Sequence, residues 1–356
     1  MKKNLRNILA LSLGLITTVA FAQDWNVDSR TRIDMSGDYD RMETAQRATL
    51  GVTFGGTDWG IHSSTRVNYA LDNSSAASLA VYEAYASADL MGYASMTVGR
   101  QALEYGSGMI IGNNDWSASG YTRDGFVFGL DLDMADITLG YFNNMDGEEL
   151  TNGSSAYYIN AAKAEGDWSA NLLYGSGKAT ADDVEGDATT MMGLDLSYSM
   201  MGGALTLDVM YNTASDGTTD QDMNSIGATY NVNDDMSISA SQTSYGENGF
   251  NVIGGNAGIA GSNSWMSHGN IGHLGANQKN ISIGGTYAMG NFNLGVTMHT
   301  IKDETTGADD YERKAMEVSF GYDLNSNAGL AVKYATDNNG TEVDTKYTWL
   351  TLTITP

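Results

Sequence analysis

The sequence predicts an all-β fold, a transmembrane antiparallel β-barrel of about 18 strands with 16 as the alternative. Three observations carry this. Apolar and polar side chains alternate with period two along most of the chain, the connections between these segments alternate short and long, and aromatic residues gather at both ends of the segments.

Residues 1–22 stand apart from the barrel. MKKNLR is a basic start, ILALSLGLITTV an apolar stretch, and Ala20-Phe21-Ala22 a small-x-small cleavage site, so the segment reads as a signal peptide and residues 23–356 as the barrel domain. The apolar stretch is too short to span a bilayer, and no later run reaches the ~18 apolar residues a membrane helix needs. Any crossing must be made by strands.

Period-two alternation places strands near 24–36, 46–55, 58–70, 81–90, 93–101, 123–133, 136–143, 156–165, 167–175, 189–200, 203–213, 223–232, 235–245, 279–289, 291–301, 313–323, 328–335 and 343–355. The turns GGTD, MG, DMA, EGD, MGG, NDD, MGN and NSNA fall on one side, while GDYDRMETA, DNSSAASLA and other long loops fall on the other. Barrels of the Gram-negative outer membrane have this asymmetry, with short periplasmic turns and long extracellular loops. The only proline is Pro356, so no strand is interrupted by one.

One strand face is apolar, as in Leu205, Leu207, Val209 and Tyr211, or Phe292, Leu294, Val296 and Met298, and is expected to meet lipid. Trp25, Trp59, Tyr93, Trp168, Tyr198 and Tyr287 lie near the short turns, and Tyr69, Tyr141, Tyr174 and Tyr211 near the far ends. These make two girdles, which a soluble sandwich would not need. YTWLTLTITP ends in proline where such barrels usually carry an aromatic residue; either Trp349 and Tyr347 serve instead or the assembly machinery reads another signal.

The opposite parity points inward and carries Arg30, Arg32, Arg47, Arg66, Arg123, Arg313 and Lys333. Several of these strands become neighbours when the last closes on the first, which predicts an anion-favouring stripe in the lumen. Inward acids, among them Glu83, Asp195, Asp208 and Glu317, offer the alternative that opposed charges pair to fill the barrel. The leader segment carries Lys2, Lys3 and Arg6 and no acid. Without it the 18 basic residues fall to 15 against 43 acidic ones, moving the net charge from −25 to −28. So acidic a chain is no general nucleic-acid binder.

Most acids lie in long loops such as ATADDVEGDA, NMDGEEL, SDGTTDQDM and DETTGADDYE. They read first as solvated surface and second as divalent-cation bridges to lipopolysaccharide, and none has the spacing of a calcium loop. With no cysteine, no G-x-S-x-G serine motif, and a loop pair, His268 and His273, that has no acid or cysteine nearby, neither catalysis, nor a metal site, nor any cofactor is expected.

The connection at residues 102–122 breaks the rhythm. Glycines at 106, 108 and 112 permit sharp turns, and Tyr105, Met109, Ile110, Ile111 and Trp116 are poorly suited to a solvated tip, so the loop is expected to fold into the barrel and narrow it. The glycine-rich stretch 246–275 is a second candidate for an inward loop.

VGRQALEYGSGMIIGNNDW at residues 98–116, followed by RDG at 123–125, resembles the GRQ-x-L-x-Y-G, IG-x-x-DW and DG signature of the alginate-export family of outer-membrane proteins. The resemblance implies an 18-stranded, porin-like barrel with an arginine-rich lumen, and puts Arg100, Gln101, Tyr105, Asp115, Trp116, Arg123 and Asp124 at or near the constriction. Parity alone sets Arg100 on the face of Met96 and Val98, so an inward position would require a bulge.

The expected role is an outer-membrane channel for passive diffusion or export of small hydrophilic anions or acidic saccharides, in contact with membrane lipid and lipopolysaccharide and either monomeric or a homo-oligomer. The alternative is a non-conducting adhesion or structural barrel with acidic surface loops.

Overall fold

The computed structural model describes residues 22–36, 43–71, 76–115, 117, 120–143, 153–181, 184–250, 274–305, 312–338, 340–341 and 343–356. Residues 1–21, where the sequence suggests a signal peptide, together with NMDGEEL and the loop core 251–273 with His268 and His273, lie outside the described residues.

The strands are β1 (Ala22–Asp34), β2 (Glu43–Gly55), β3 (Trp59–Ala70), β4 (Ser78–Asp89), β5 (Ser95–Gln101), β6 (Arg123–Leu132), β7 (Ala135–Asn143), β8 (Gly153–Glu165), β9 (Trp168–Ala181), β10 (Val184–Glu185), β11 (Thr189–Met200), β12 (Leu205–Ser215), β13 (Asp220–Asn233), β14 (Met236–Tyr245), β15 (Gln278–Met289), β16 (Phe292–Asp303), β17 (Glu312–Asn325), β18 (Ala328–Asp337) and β19 (Thr345–Ile354). Each pairs antiparallel with its neighbours. The short β10 and β11 both run along β9, so together they count as one wall strand. The barrel therefore has eighteen staves, as its rhythm predicts.

β1 closes it, pairing with β2 from Ala22 to Asp34 and with β19 from Ser29 to Asp34. Closure joins the first and last strands along Ser29–Asp34, so the sheet does not end in a free edge there; in hydrocarbon each unmet N–H or C=O would cost several kcal/mol. The short turns follow from local chemistry. Gly290, at φ 58°, opens the two-residue turn between the paired Met289 and Phe292, a position where other residues are strained. On the long-loop side, Asp216 accepts hydrogen bonds from the backbone N–H groups of Thr218 and Thr219; the Thr219 bond foremost holds its carboxyl below the ordinary range.

Large apolar side chains stand outward on nearly every stave. Leu50, Ile61, Ile226, Ile283 and Met298 are all about half exposed or more. A soluble protein would not leave so continuous an apolar band uncovered, but lipid covers it. Trp25, Trp59, Trp168, Tyr198 and Tyr287 edge this band at the short turns, and Tyr157, Tyr174 and Tyr211 at the far side. Many inward positions are small or polar, as in Thr49, Ser64, Ser225 and Thr243.

Two local departures shape the lumen. The register of β3 with β4 slips between Ser64 and Thr65, so that Ser64 pairs with Glu83 and Thr65 with Val81. Tyr82 is the extra residue, and this bulge brings Tyr82 and Glu83 to the inner face together. The second is Trp349, named above as a candidate substitute for a terminal aromatic residue. It pairs with Asp34 across the closing seam, points inward, and donates its indole N–H to Asp34 Oδ2 at 3.0 Å. It pins the seam from within.

Candidate functional site

The site is built by the first three strands and the loop after the fifth. Arg30 and Arg32 on β1, Arg47 on β2 and Arg66 on β3 share the inward parity of Thr49 and Ser64, and Arg47 and Arg66 are buried. The register sets Arg30 directly opposite Arg47. Like charges in that relation repel. The compensating charge comes from the loop: Asp115 Oδ1 accepts from Arg47 Nη1 at 2.8 Å, while Asp115 Oδ2 is 3.6 Å from Arg30 Nη1. Arg30 also donates to the main-chain carbonyls of Asp115 (2.6 Å) and Ser117 (2.7 Å), and Asp28 lies 3.7 Å from Arg47 on the strand side.

Arg66 continues this wall. Its guanidinium lies 3.4 Å from the ring centroid of Tyr82, and its Nε donates to Thr49 Oγ1 at 3.3 Å. The bulge in β4 is what makes this stacking possible. Arg30, Arg32 and Arg47 line a cavity of about 310 Å³. Lys333 on β18 extends the basic wall across the seam, with its Nζ 3.6 Å from Glu317 Oε2.

The loop enters the barrel and bridges it. Its root is tied by Ala102 N–H to Glu83 Oε1 at 3.0 Å, and its tip reaches the far wall, where Ser107 N–H donates to Asp195 Oδ2 at 2.9 Å. Gly106 (φ 56°) lies so close that a Cβ would sit 1.9 Å from that oxygen; only glycine allows this approach. Tyr105 and Tyr158 hydroxyls are 2.9 Å apart.

Met109, Ile110 and Ile111 are almost fully buried against Phe142, Tyr158, Leu173, Met191 and Met223, all on the inner face. Each such side chain contributes about 2 kcal/mol by leaving water. The return leg passes Arg66 at Gly120 (φ 68°), where a Cβ would lie 2.9 Å from Arg66 Nη1. Beyond the tip, a cavity of about 740 Å³ is lined by hydroxyl side chains such as Ser225, Ser241 and Thr243, together with Asp195 and Asp208. A basic wall thus faces a hydroxyl and carboxylate wall, with the loop between them.

Several candidate residues take other places. Arg123 is inward but only 2% exposed: it lies beneath the loop, donating to Gly112 O at 3.1 Å with its guanidinium 5.4 Å from the Phe142 ring centroid, and so anchors the loop instead of lining the opening. Gln101 is its buried register partner at the loop root. Arg100 and Asp124 are on the outside. They share parity with the exposed Val98 and Phe126, and form a two-bond pair at 2.7 and 2.6 Å across β5 and β6; with no bulge in that pairing, alternation carries them away from the lumen. Trp116 lies outside the described residues.

Arg313 is committed to Asp337, which is fully buried, through bonds of 2.9 and 2.5 Å. Arg313→Ala should therefore destabilise the barrel by roughly 3–5 kcal/mol in urea unfolding followed by heat-modifiable gel mobility, because it strands a buried carboxylate. Arg313→Ala/Asp337→Ala should recover much of that loss, and ion selectivity should hardly change.

The apolar dock under the loop and its contacts with Tyr158 and Asp195 were not foreseen from the sequence. Their signal was faint: Phe142, Tyr158, Met191 and Met223 are bulky residues at inward parity near the loop ends of their strands.

The sequence model of the family described as Gram-negative porin matches residues 9–342. No curated protein sequence matches the chain. Among solved structures, the fold is similar to three Pseudomonas aeruginosa proteins. OccK5 (OpdH) has a TM-score of 0.73 at 15% identity, covering 94% of this chain and 97% of that one. OpdK has 0.74 at 14% identity, covering 95% and 100%. OprD has 0.69 at 13% identity, covering 96% and 97%. The alginate-export resemblance, carried by some thirty residues around the loop, finds no support in these matches.

Proposed function

The chain belongs to the Gram-negative porin family, a porin-like channel of the Gram-negative outer membrane, and on that premise we propose that it passes small hydrophilic anions by passive diffusion. The observation that carries this reading is the grouping of Arg30, Arg32 and Arg47 around one cavity at the level where the inner loop narrows the barrel. In a constriction with low-dielectric walls, a few fixed charges dominate the field. Guanidinium groups also offer a planar fork that suits carboxylates. The hydroxyl groups of the opposite wall can replace part of a solute's hydration shell, while Asp195 and Asp208 on that wall hold an anion toward the arginine side. The role is transport and not catalysis. The acidic external loops suit divalent bridging to lipopolysaccharide.

The test is single-channel current of the refolded protein in a planar bilayer under a KCl gradient. A reversal potential on the anion side is expected, and Arg30→Gln/Arg47→Gln should move it toward zero or beyond. A cation preference in the unaltered protein would overturn the anionic reading. A folded barrel that carries no current would overturn the channel itself in favour of an adhesive or structural role.

A further inference from the structure

We propose that Asp115 is a built-in carboxylate competitor: it occupies the Arg30–Arg47 pair in the resting channel, and a permeating carboxylate must displace it to bind there. This rests on the anionic reading above and adds to it a residue that sets how tightly the site holds its solute.

The geometry is that of a bound ligand. Asp115 is not on the wall but on the loop, 68 residues from Arg47 and 85 from Arg30, and it directs one carboxylate oxygen to each guanidinium. A solute carboxylate placed there could make the same contacts. Asp115 is itself accessible, its side chain 61% exposed, whereas the two arginines are about 10% exposed, so the acid is the part of the cluster a solute meets first. The neighbouring cavity of about 310 Å³, lined also by Arg32, has room for the rest of a small molecule.

Displacement need not unseat the loop. Its seat on this wall includes the bonds from Arg30 to the carbonyls of Asp115 and Ser117, and elsewhere it is held by the apolar dock and by Asp195. The carboxylate can swing away while the main chain stays. A fixed internal anion lowers the affinity of the site and so favours rapid release, which a channel needs as much as it needs binding.

Succinate, added to one side of the refolded protein in a planar bilayer, is the probe, and the readout is the concentration that halves the chloride current. Asp115→Asn should lower that concentration about tenfold, the equivalent of one charge-assisted contact. Asp115→Cys serves as the second variant, because the chain has no other cysteine. It should behave like Asp115→Asn, and reaction of the folded channel with sulfonatoethyl methanethiosulfonate should restore weak binding by returning a negative charge to the position.

If neither variant changes the half-blocking concentration while Arg47→Gln raises it, the anionic reading stands and the competitor is rejected. If removing the charge weakens succinate binding, Asp115 organises the site instead of competing for it, and the proposal also falls. If succinate blocks none of the proteins and the reversal potential shows no anion preference, the anionic reading fails and takes the competitor with it.

Discussion

Excising residues 104–119 and joining the ends with a short glycine-serine turn should raise single-channel conductance on the order of threefold. The loop crosses from the arginine wall to Asp195, so its removal opens the widest part of the obstruction. Selectivity should change in the same experiment. Asp115 leaves with the loop while Arg30 and Arg47 remain, so the reversal potential should move further to the anion side. The excision exposes Phe142, Tyr158, Leu173, Met191 and Met223 to water inside the barrel, and some stability should be lost without loss of the barrel. An unchanged conductance would show that the current is limited elsewhere.

The second large effect is expected at Arg123. Arg123→Ala removes the bond to Gly112 O and the face-on packing against Phe142. A hydrogen bond from a charged group contributes about 1.5–3 kcal/mol, so the loop should lose a comparable part of its hold. The expected readout is a noisier open channel with added substates, because the loop samples positions away from its seat. Arg123→Lys should be intermediate, since an ammonium keeps the charge but not the forked, delocalised guanidinium. Should Arg123→Ala instead shift the reversal potential with no increase in noise, the residue acts on the permeating ion and not on the loop.

Much of the barrel could be read from the chain because its physics is local and periodic. A strand between lipid and water must alternate, so the outward Leu50 and the inward Arg47 and Thr49 follow from position alone once one face is known to be apolar. The inward course of the loop was legible for the same reason: Met109, Ile110 and Ile111 are out of place on a solvated tip, and the structure buries all three.

What stayed hidden depends on departures from period two or on contacts between distant segments. Arg123 and Arg30 are alike as arginines at inward parity, yet one lies under the loop and the other grips it from the wall, a difference decided by where the loop comes to rest. The bulge at Tyr82 reverses the parity of β4 on one side of it, and nothing in the alternation of that strand announces it. Arg100 shows the converse. A short motif suggested the lumen, but an unbroken register with Asp124 keeps it outside.

The wall was legible in the chain: about eighteen staves, their two faces, the side that carries the long loops and most of the arginines that point inward. The charge balance at the narrowing was not legible there, because it depends on where the loop comes to rest. The loop seats Asp115 against Arg30 and Arg47, beside Asp28 on the strand, and so supplies the counter-ion that like charges brought together by strand pairing require.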